Sequence, residues 1–535
     1  MTQYPQNPAT RIWRKDSTLW LGESADVTAL VSRLGWLDVF GWFEGQLQEL
    51  DAWVKKIVTE QRFERTVVLG MGGSSLAPEV FSKLFTPGSG HPRVEVLDST
   101  SPDMVRRTLD GGVQDTLFIV ASKSGTTLET MDLYRFFRQQ VETSNDSPCD
   151  QFVAITDEGS WLDQHATGEG FEKVFINPSD IGGRYSALSL FGLVPAALHG
   201  VDIGAILERA NQFSDSTKMD DPASNIALAL GIDMADHALK GKDKLIINLP
   251  TSLQSVGAWI EQLVAESTGK NGVGILPVCL TEESPGYDGN DAFTIAISDG
   301  ELKNSHASDA FADRKWTLPQ RLDIGAEFFK WEFATAIAAG YLGINPFDEP
   351  NVSEAKRSTD LFINQGAQLK THVLADTEYL SLLKIGDSES GNTVTDSIAS
   401  LLTPADGGYL SILAYLPCEP EIERVLGQLQ QQIMEALDVV STIGFGPRYL
   451  HSTGQLHKGG APVGAFIQLT CDPACDFNVP GRDYSFGNLL MAQADGDISV
   501  LDQKDLPVVR AHLKGDRLAA IQALTDNFSA PLIGM

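Results

Sequence analysis

Short runs of β-branched and apolar residues alternate with longer stretches whose apolar positions recur every three or four residues, along almost the whole chain. That alternation is the pattern of βα units with parallel strands, and it predicts an α/β protein. In the first half the strand-like runs are Thr66–Leu69, Val94–Leu97, Leu117–Ala121, Phe152–Thr156 and Val174–Asn177, each followed by enough chain for a crossover helix. They predict one doubly wound sheet. After a polar stretch near Phe213 to Ser224 a second series begins, Lys244–Leu249, Gly274–Val278, Ala292–Ile297, Tyr409–Leu416, Gly464–Thr470 and Val508–Leu513, which predicts a second α/β domain with a boundary near residue 220. Ahead of the first strand, Leu30, Leu34, Leu37, Phe40, Phe43 and Leu47 fall at helical spacing and should pack on the first domain.

Composition narrows the class without naming it. The chain has 535 residues, of which 42% are hydrophobic and 21% charged, so a large core can be buried and extended disorder is excluded. A net charge of −31 has the wrong sign for neutralising nucleic-acid phosphates or an anionic bilayer, so neither partner is expected. No apolar run reaches the 18 or so residues a spanning helix needs, and no secretory leader is visible, which predicts a cytoplasmic protein. The five cysteines are scattered, and Cys471 and Cys475 read as two ordinary thiols, with no second pair at zinc-site spacing.

Two segments carry candidate chemistry. In Val67-Val68-Leu69-Gly70-Met71-Gly72-Gly73-Ser74-Ser75-Leu76 a buried strand runs into glycines and then a helix, a turn that lets a ligand approach the backbone and offers hydroxyls beside free amides. It is not a Walker loop, since no Gly-Lys-Ser/Thr follows at the required spacing. In Phe118-Ile119-Val120-Ala121-Ser122-Lys123-Ser124-Gly125-Thr126-Thr127-Leu128-Glu129-Thr130 a strand is again followed by a hydroxyl-rich loop and a helix. A helix cap needs one Ser or Thr; the surplus here suits a phosphate cradle, and the lack of arginine points to a monoester held by hydroxyls and amides.

These two loops resemble the sugar isomerase domain. With Gly182-Gly183-Arg184-Tyr185-Ser186, Ala265-Glu266-Ser267-Thr268-Gly269-Lys270 and Gly343-Ile344-Asn345-Pro346-Phe347-Asp348, in that order, the chain resembles the glucose-6-phosphate isomerase family. Through His451-Ser452-Thr453-Gly454-Gln455-Leu456-His457-Lys458-Gly459-Gly460 it is most similar to the isomerase half of bacterial transaldolase/glucose-6-phosphate isomerase fusions. The resemblance implies two doubly wound parallel-sheet sugar isomerase domains flanked by helices: an N-terminal helical segment over 1–50, a first domain over 51–220, and a second over 221–535 with C-terminal helices.

It also implies an aldose–ketose isomerase working through an enediolate on glucose 6-phosphate and fructose 6-phosphate, with no cofactor or metal, as a homodimer. The chemistry needs one carboxylate within reach of two adjacent carbons, donors or a cation for the charge that develops on oxygen, and an acid/base to open the sugar ring. Carried onto this sequence, the matching positions make Glu266 the proton-shuttling base, Arg184 the stabiliser of the enediolate and His457 the ring-opening group, with His451 its competitor because Leu456 intervenes in the motif. Gly73, Ser74, Ser122, Lys123, Ser124, Thr126 and Thr127 are the expected phosphate and substrate contacts, together with Gln262, which lies one helical turn before Glu266. Lys123, Arg184, Lys270 and Lys458 supply local cations; screening over about 8 Å at physiological salt lets them prevail over the distant acidic surface.

Two departures stand out. Relatives carry a lysine on the last catalytic helix, whereas Tyr484 to Gln493 contains none, and Glu349 occupies a position where glutamine is common. Two other activities share this chemistry or scaffold: isomerisation of a hexose with another C6 anion such as a sulfonate, and sugar-phosphate sensing without catalysis. An amide-transferring synthase is set aside because Met1 is followed by Thr2 and not by cysteine.

Overall fold

The computed structural model describes residues 5–21, 30–282, 284, 286–302, 312–386 and 397–530. Among the described residues fifteen strands, β1 to β15 in chain order, form three sheets. The first sheet holds β1 (Arg65–Gly70), β2 (Arg93–Leu97), β3 (Thr116–Ala121), β4 (Phe152–Asp157) and β5 (Lys173–Asn177), all parallel in the order β2-β1-β3-β4-β5. β1 and β3 are wholly buried, as expected of strands covered by helices on both faces. The strand order reverses at β1, and Gly70 pairs with Ala121, so the two hydroxyl-rich loops leave the sheet side by side. A crevice at such a reversal, outside the carboxyl ends of the strands, is where doubly wound sheets bind ligands.

The second sheet holds β6 (Lys244–Asn248), β7 (Leu276–Leu280), β8 (Ala292–Asp299) and β9 (Arg314–Leu318), parallel in the order β7-β6-β8-β9. The third holds β10 (Thr371–Asp376), β11 (Leu380–Ile385), β12 (Tyr409–Tyr415), β13 (Ser441–Phe445), β14 (Gly464–Cys471) and β15 (Val508–Leu513), in the order β10-β11-β15-β14-β12-β13. Its four strands β12 to β15 are parallel, and the hairpin of β10 and β11 is added antiparallel at one edge. The α/β class with parallel sheets flanked by helices is as expected. The strands after residue 220, expected in one domain, are divided between two sheets, and β9, β10, β11 and β13 carry no apolar run strong enough to predict them. β10 is largely exposed and β9 alternates in burial, the pattern of edge strands with one wet face.

The helices that frame the sheets and the site are α1 (Leu47–Glu60), α2 (Leu76–Leu84), α3 (Leu128–Glu142), α4 (Leu190–His199), α5 (Gln254–Thr268), α6 (Ile324–Leu342), α7 (Pro350–Asn364), α8 (Gly454–Gly459) and α9 (Phe486–Gln503). α6 is apolar nearly all round and buried, which marks a helix enclosed by protein and not one lying on a surface. One apolar cluster joins the first two sheets, running from Val68 and Ile119 through Leu76 and Val80 of α2, Leu193 of α4, and Trp331 and Phe333 of α6 to Leu245 and Ile247. The N-terminal segment is seated in it: Leu34, Leu37 and Phe43 are buried, and Trp36 packs on Tyr185 and Phe329. A second cluster joins the second and third sheets through Ile246, Val278, Leu413 and Phe466. Among the described residues no helix is long and apolar enough to cross a membrane.

Candidate active site

Four segments meet where the first sheet's crevice faces α5. A Cβ on Gly73 would lie 1.9 Å from the Gly183 carbonyl oxygen, so the β1 loop and the Gly182–Arg184 turn touch backbone to backbone. Gly72 has φ +55°, and a Cβ there would stand 2.8 Å from Gln262 Nε2 and 2.9 Å from the His451 carbonyl oxygen. Only glycine permits both approaches. Ser74 is half-buried and closes the 3₁₀ turn by bonding its amide to the Met71 carbonyl at 3.1 Å.

Glu266 sits in the last turn of α5, buried, with Gln262 one turn earlier on the same face. Gln262 Nε2 donates to Glu266 Oε2 at 3.2 Å and to the His451 carbonyl at 2.7 Å, fixing the carboxylate against the turn before α8. Its Oε1 is buried and accepts no hydrogen bond, leaving an acceptor available to a sugar hydroxyl. Arg184 Nη1 lies 3.0 Å from Glu266 Oε1 and 3.2 Å from Glu349 Oε2. The rest of the guanidinium is held by the carbonyls of Pro346 and Asp348 and by Ser267 Oγ. Lys270 donates to the Asn345 and Asp348 carbonyls and pairs with Asp348 Oδ1 at 2.8 Å. Burial raises the Glu266 carboxyl above its ordinary range, against the pull of Arg184, with the Glu349 charge adding to the rise. Burial, then repulsion from Arg184, pulls Lys270 down to about 8.

The histidines are placed differently from the expectation. His457 does not reach this site: it is buried, bonded through Nδ1 to the Tyr409 hydroxyl at 2.8 Å and packed on the Tyr409, Tyr449 and Phe466 rings. Burial, reinforced by Lys458, lowers its pKa to about 3, so it is a neutral ring inside the core. The neighbouring Lys458 is taken up by a buried ion pair with Asp497. His451 is the histidine at the site. Its Nε2 lies 3.1 Å from Glu129 Oε1, and Gln493 Nε2 of α9 donates to the same oxygen at 2.8 Å. Burial alone would raise Glu129, but the His451 ring more than offsets it and holds the carboxyl below its usual value.

Glu129 is two residues beyond Thr127, in the first turn of α3, and this places the hydroxyl loop at the same cleft. Ser122 Oγ and Thr127 Oγ1 are 2.9 Å apart, Gly125 turns the chain at φ +67°, and Ser124 Oγ accepts from the Thr126 amide at 3.3 Å and its hydroxyl at 3.0 Å. The first amides of α3 have no partner within the helix, and with the hydroxyls they form a donor set whose chemistry suits an anion. Lys123 is not among its donors: its ammonium bonds Asp157 and the Ser179 carbonyl at 2.6 Å. Of the four cations expected at the site, Arg184 and Lys270 are at Glu266, and Lys123 and Lys458 are spent elsewhere.

Sequence reasoning missed four residues here. Glu129 lies inside the quoted hydroxyl motif, and its being a carboxylate in the first turn after a phosphate cradle was the available signal. Gln493 lies inside the α9 stretch searched for a lysine. Lys356, on α7, acts electrostatically on Glu129, and no pattern in the sequence connects it to that carboxylate. Glu349 was noticed as a departure, but no pattern in the sequence connects it to Arg184.

Known proteins resemble this chain in sequence and in fold. The profile of the phosphoglucose isomerase family matches residues 44–278. The chain is 33% identical to a glucose-6-phosphate isomerase of Trichormus variabilis over 236 residues, 42% of this chain and 45% of that protein. It is 29% identical to a glucose-6-phosphate isomerase of Staphylococcus saprophyticus over 385 residues, 61% of this chain and 85% of that one. The match thus spans less than half the length of the first of these curated relatives. A hypothetical protein of Thermus thermophilus shares the fold, with a TM-score of 0.56 and 22% identity over 65% of this chain and 92% of its own. Glu349, His451 and Gln493 lie outside the matched segment. The matched segment, residues 44–278, carries Gly73, Glu129, Arg184, Gln262 and Glu266, and over that segment the chain is similar to the phosphoglucose isomerase family.

Proposed function

We propose that the protein interconverts glucose 6-phosphate and fructose 6-phosphate through an enediolate. The observation that carries this reading is the unbroken chain of contacts Glu266–Gln262–His451–Glu129, which ends two residues from the Ser122–Thr127 cradle. A sugar phosphate seated with its anion on the cradle's hydroxyls and amides brings its other end toward Glu266. His451, held by Glu129, opens the ring by giving a proton to the ring oxygen and taking one from the anomeric hydroxyl. Glu266 then removes the proton from C2 and returns it to C1, its raised proton affinity making it a stronger base than a free carboxylate. Gln262 Oε1 accepts from a sugar hydroxyl, and the Arg184 and Lys270 charges offset the enediolate.

The reading includes a cytoplasmic location and a homodimeric assembly in which each chain supplies its own Glu266, His451 and cradle. The test is a coupled assay of purified protein with fructose 6-phosphate, with and without chelator, alongside Glu266→Gln. Turnover indifferent to chelator is expected. Glu266→Gln should lower kcat by at least about 10³-fold while still binding ligand. A wild-type protein that binds the sugar phosphate and never turns it over would sink the isomerase reading in favour of a sensor.

A further inference from the structure

At the centre of the site one guanidinium nitrogen is shared between two carboxylates. Arg184 carries five N–H donors, and all three of its nitrogens are engaged. Nε meets Ser267 Oγ at 3.2 Å and the Pro346 carbonyl at 3.1 Å; Nη2 meets the Pro346 and Asp348 carbonyls, both at 2.8 Å; Nη1 meets Glu266 Oε1 at 3.0 Å and Glu349 Oε2 at 3.2 Å. An arginine so occupied cannot reach a developing oxyanion unless a partner leaves.

The partners differ in how readily they can do so. The carbonyls belong to the backbone of the 345–349 turn, which Lys270 also clamps. Glu266 is pinned by Gln262, and its side chain is 10% exposed. Glu349 is 41% exposed and makes the longer of the two Nη1 contacts. It alone among these partners can turn into water without uncovering a buried charge.

We infer that Glu349 is a positioning residue: it shares the Arg184 Nη1 nitrogen with Glu266 in the free protein and yields that nitrogen to a sugar oxygen when substrate enters. The inference rests on the isomerase reading. While Glu349 is in place, its charge cancels part of the Arg184 field at Glu266 and keeps the base strong. Once it swings out, the full cation faces the carbon–oxygen bonds on which charge is about to develop, and the stabilisation is realised at the transition state and not before. A neutral amide there would leave the Arg184 field at Glu266 uncancelled. The other groups facing Glu266 are Lys270 with its partner Asp348, Tyr185, and His451 backed by Glu129 and Lys356, and none of them contacts Nη1.

The test uses the full chain as wild type, Glu349→Gln and Glu349→Asp, all checked for unchanged melting. Two quantities are read between pH 5 and 9: kcat/KM for fructose 6-phosphate, and the Kd of a hexitol 6-phosphate, which has no carbonyl and cannot isomerise. The Glu349 charge adds to the rise of the Glu266 carboxyl that burial produces. The acidic limb of Glu349→Gln should therefore move to lower pH, its hexitol phosphate should bind at least about threefold tighter because no carboxylate has to be displaced, and kcat should fall while KM falls. Glu349→Asp should bring the limb back toward wild type. An unmoved limb, an unchanged Kd, or an Asp variant displaced as far as the Gln variant overturns the assignment while leaving the isomerase reading intact. Absence of turnover in the wild type overturns both.

Discussion

The two histidines of the His451–His457 segment make opposite predictions, and one pair of variants separates them. In His451→Asn the ring that meets Glu129 is lost. General acid–base groups contribute about 10²–10⁴ in rate, so kcat on the ring-closed hexose phosphate should fall by that factor, about 3–5 kcal/mol in barrier. In His457→Asn turnover per folded molecule should stay within a few-fold, and the change should show in stability. Removing the ring strands the buried Tyr409 hydroxyl, a loss of about 1–3 kcal/mol. It also removes an acid sensitivity whose sign follows from burial. Free histidine titrates near about 6.5, while folded His457 stays neutral down to about 3, so between these values the unfolded chain binds the extra proton and stability falls as pH falls. At pH 5 the interval is about 1.5 units, and at about 1.36 kcal/mol each it costs the wild type about 2 kcal/mol that His457→Asn does not lose. The assays are a coupled turnover measurement normalised to folded fraction, and urea midpoints at pH 7.5 and 5.0. If His457→Asn loses turnover as completely as His451→Asn, or keeps the wild-type difference between the two midpoints, the placement of these rings is wrong.

Two further outcomes are expected from the site's geometry. Glu266 must be ionised to act as base, and burial raises its carboxyl, so kcat/KM should fall on the acid side through a pKa above the free value of about 4.3; a limb at or below that value in a pH series refutes the role. Gly73→Ala places a methyl 1.9 Å from the Gly183 carbonyl oxygen, which must separate the two loops that frame the cleft. Calorimetry and kinetics should find destabilisation of about 1–3 kcal/mol with a loss of more than about tenfold in kcat/KM, and a fully active, equally stable variant would contradict the contact.

Local pattern along the sequence determined much of this protein. Eleven strand runs were legible because parallel strands buried on both faces read as short continuous apolar segments, and the two cradle loops were legible because glycines and hydroxyls cluster where strands end. Gln262 and Glu266 were placed on one face by helical spacing alone. The number of sheets was not legible, because a strand does not carry the identity of its neighbours. β12 pairs with β13 and β14 and not with β6, a matter of which surfaces bury each other. The side chains available for chemistry were not legible either. Lys123 is occupied by Asp157, Lys458 by Asp497 and His457 by Tyr409, partners 34, 39 and 48 positions away. Charge and titration range are properties of a residue type and can be read from letters; whether a charge is free or already neutralised depends on what folding brings within about 3 Å of it, and only the tertiary structure decides that.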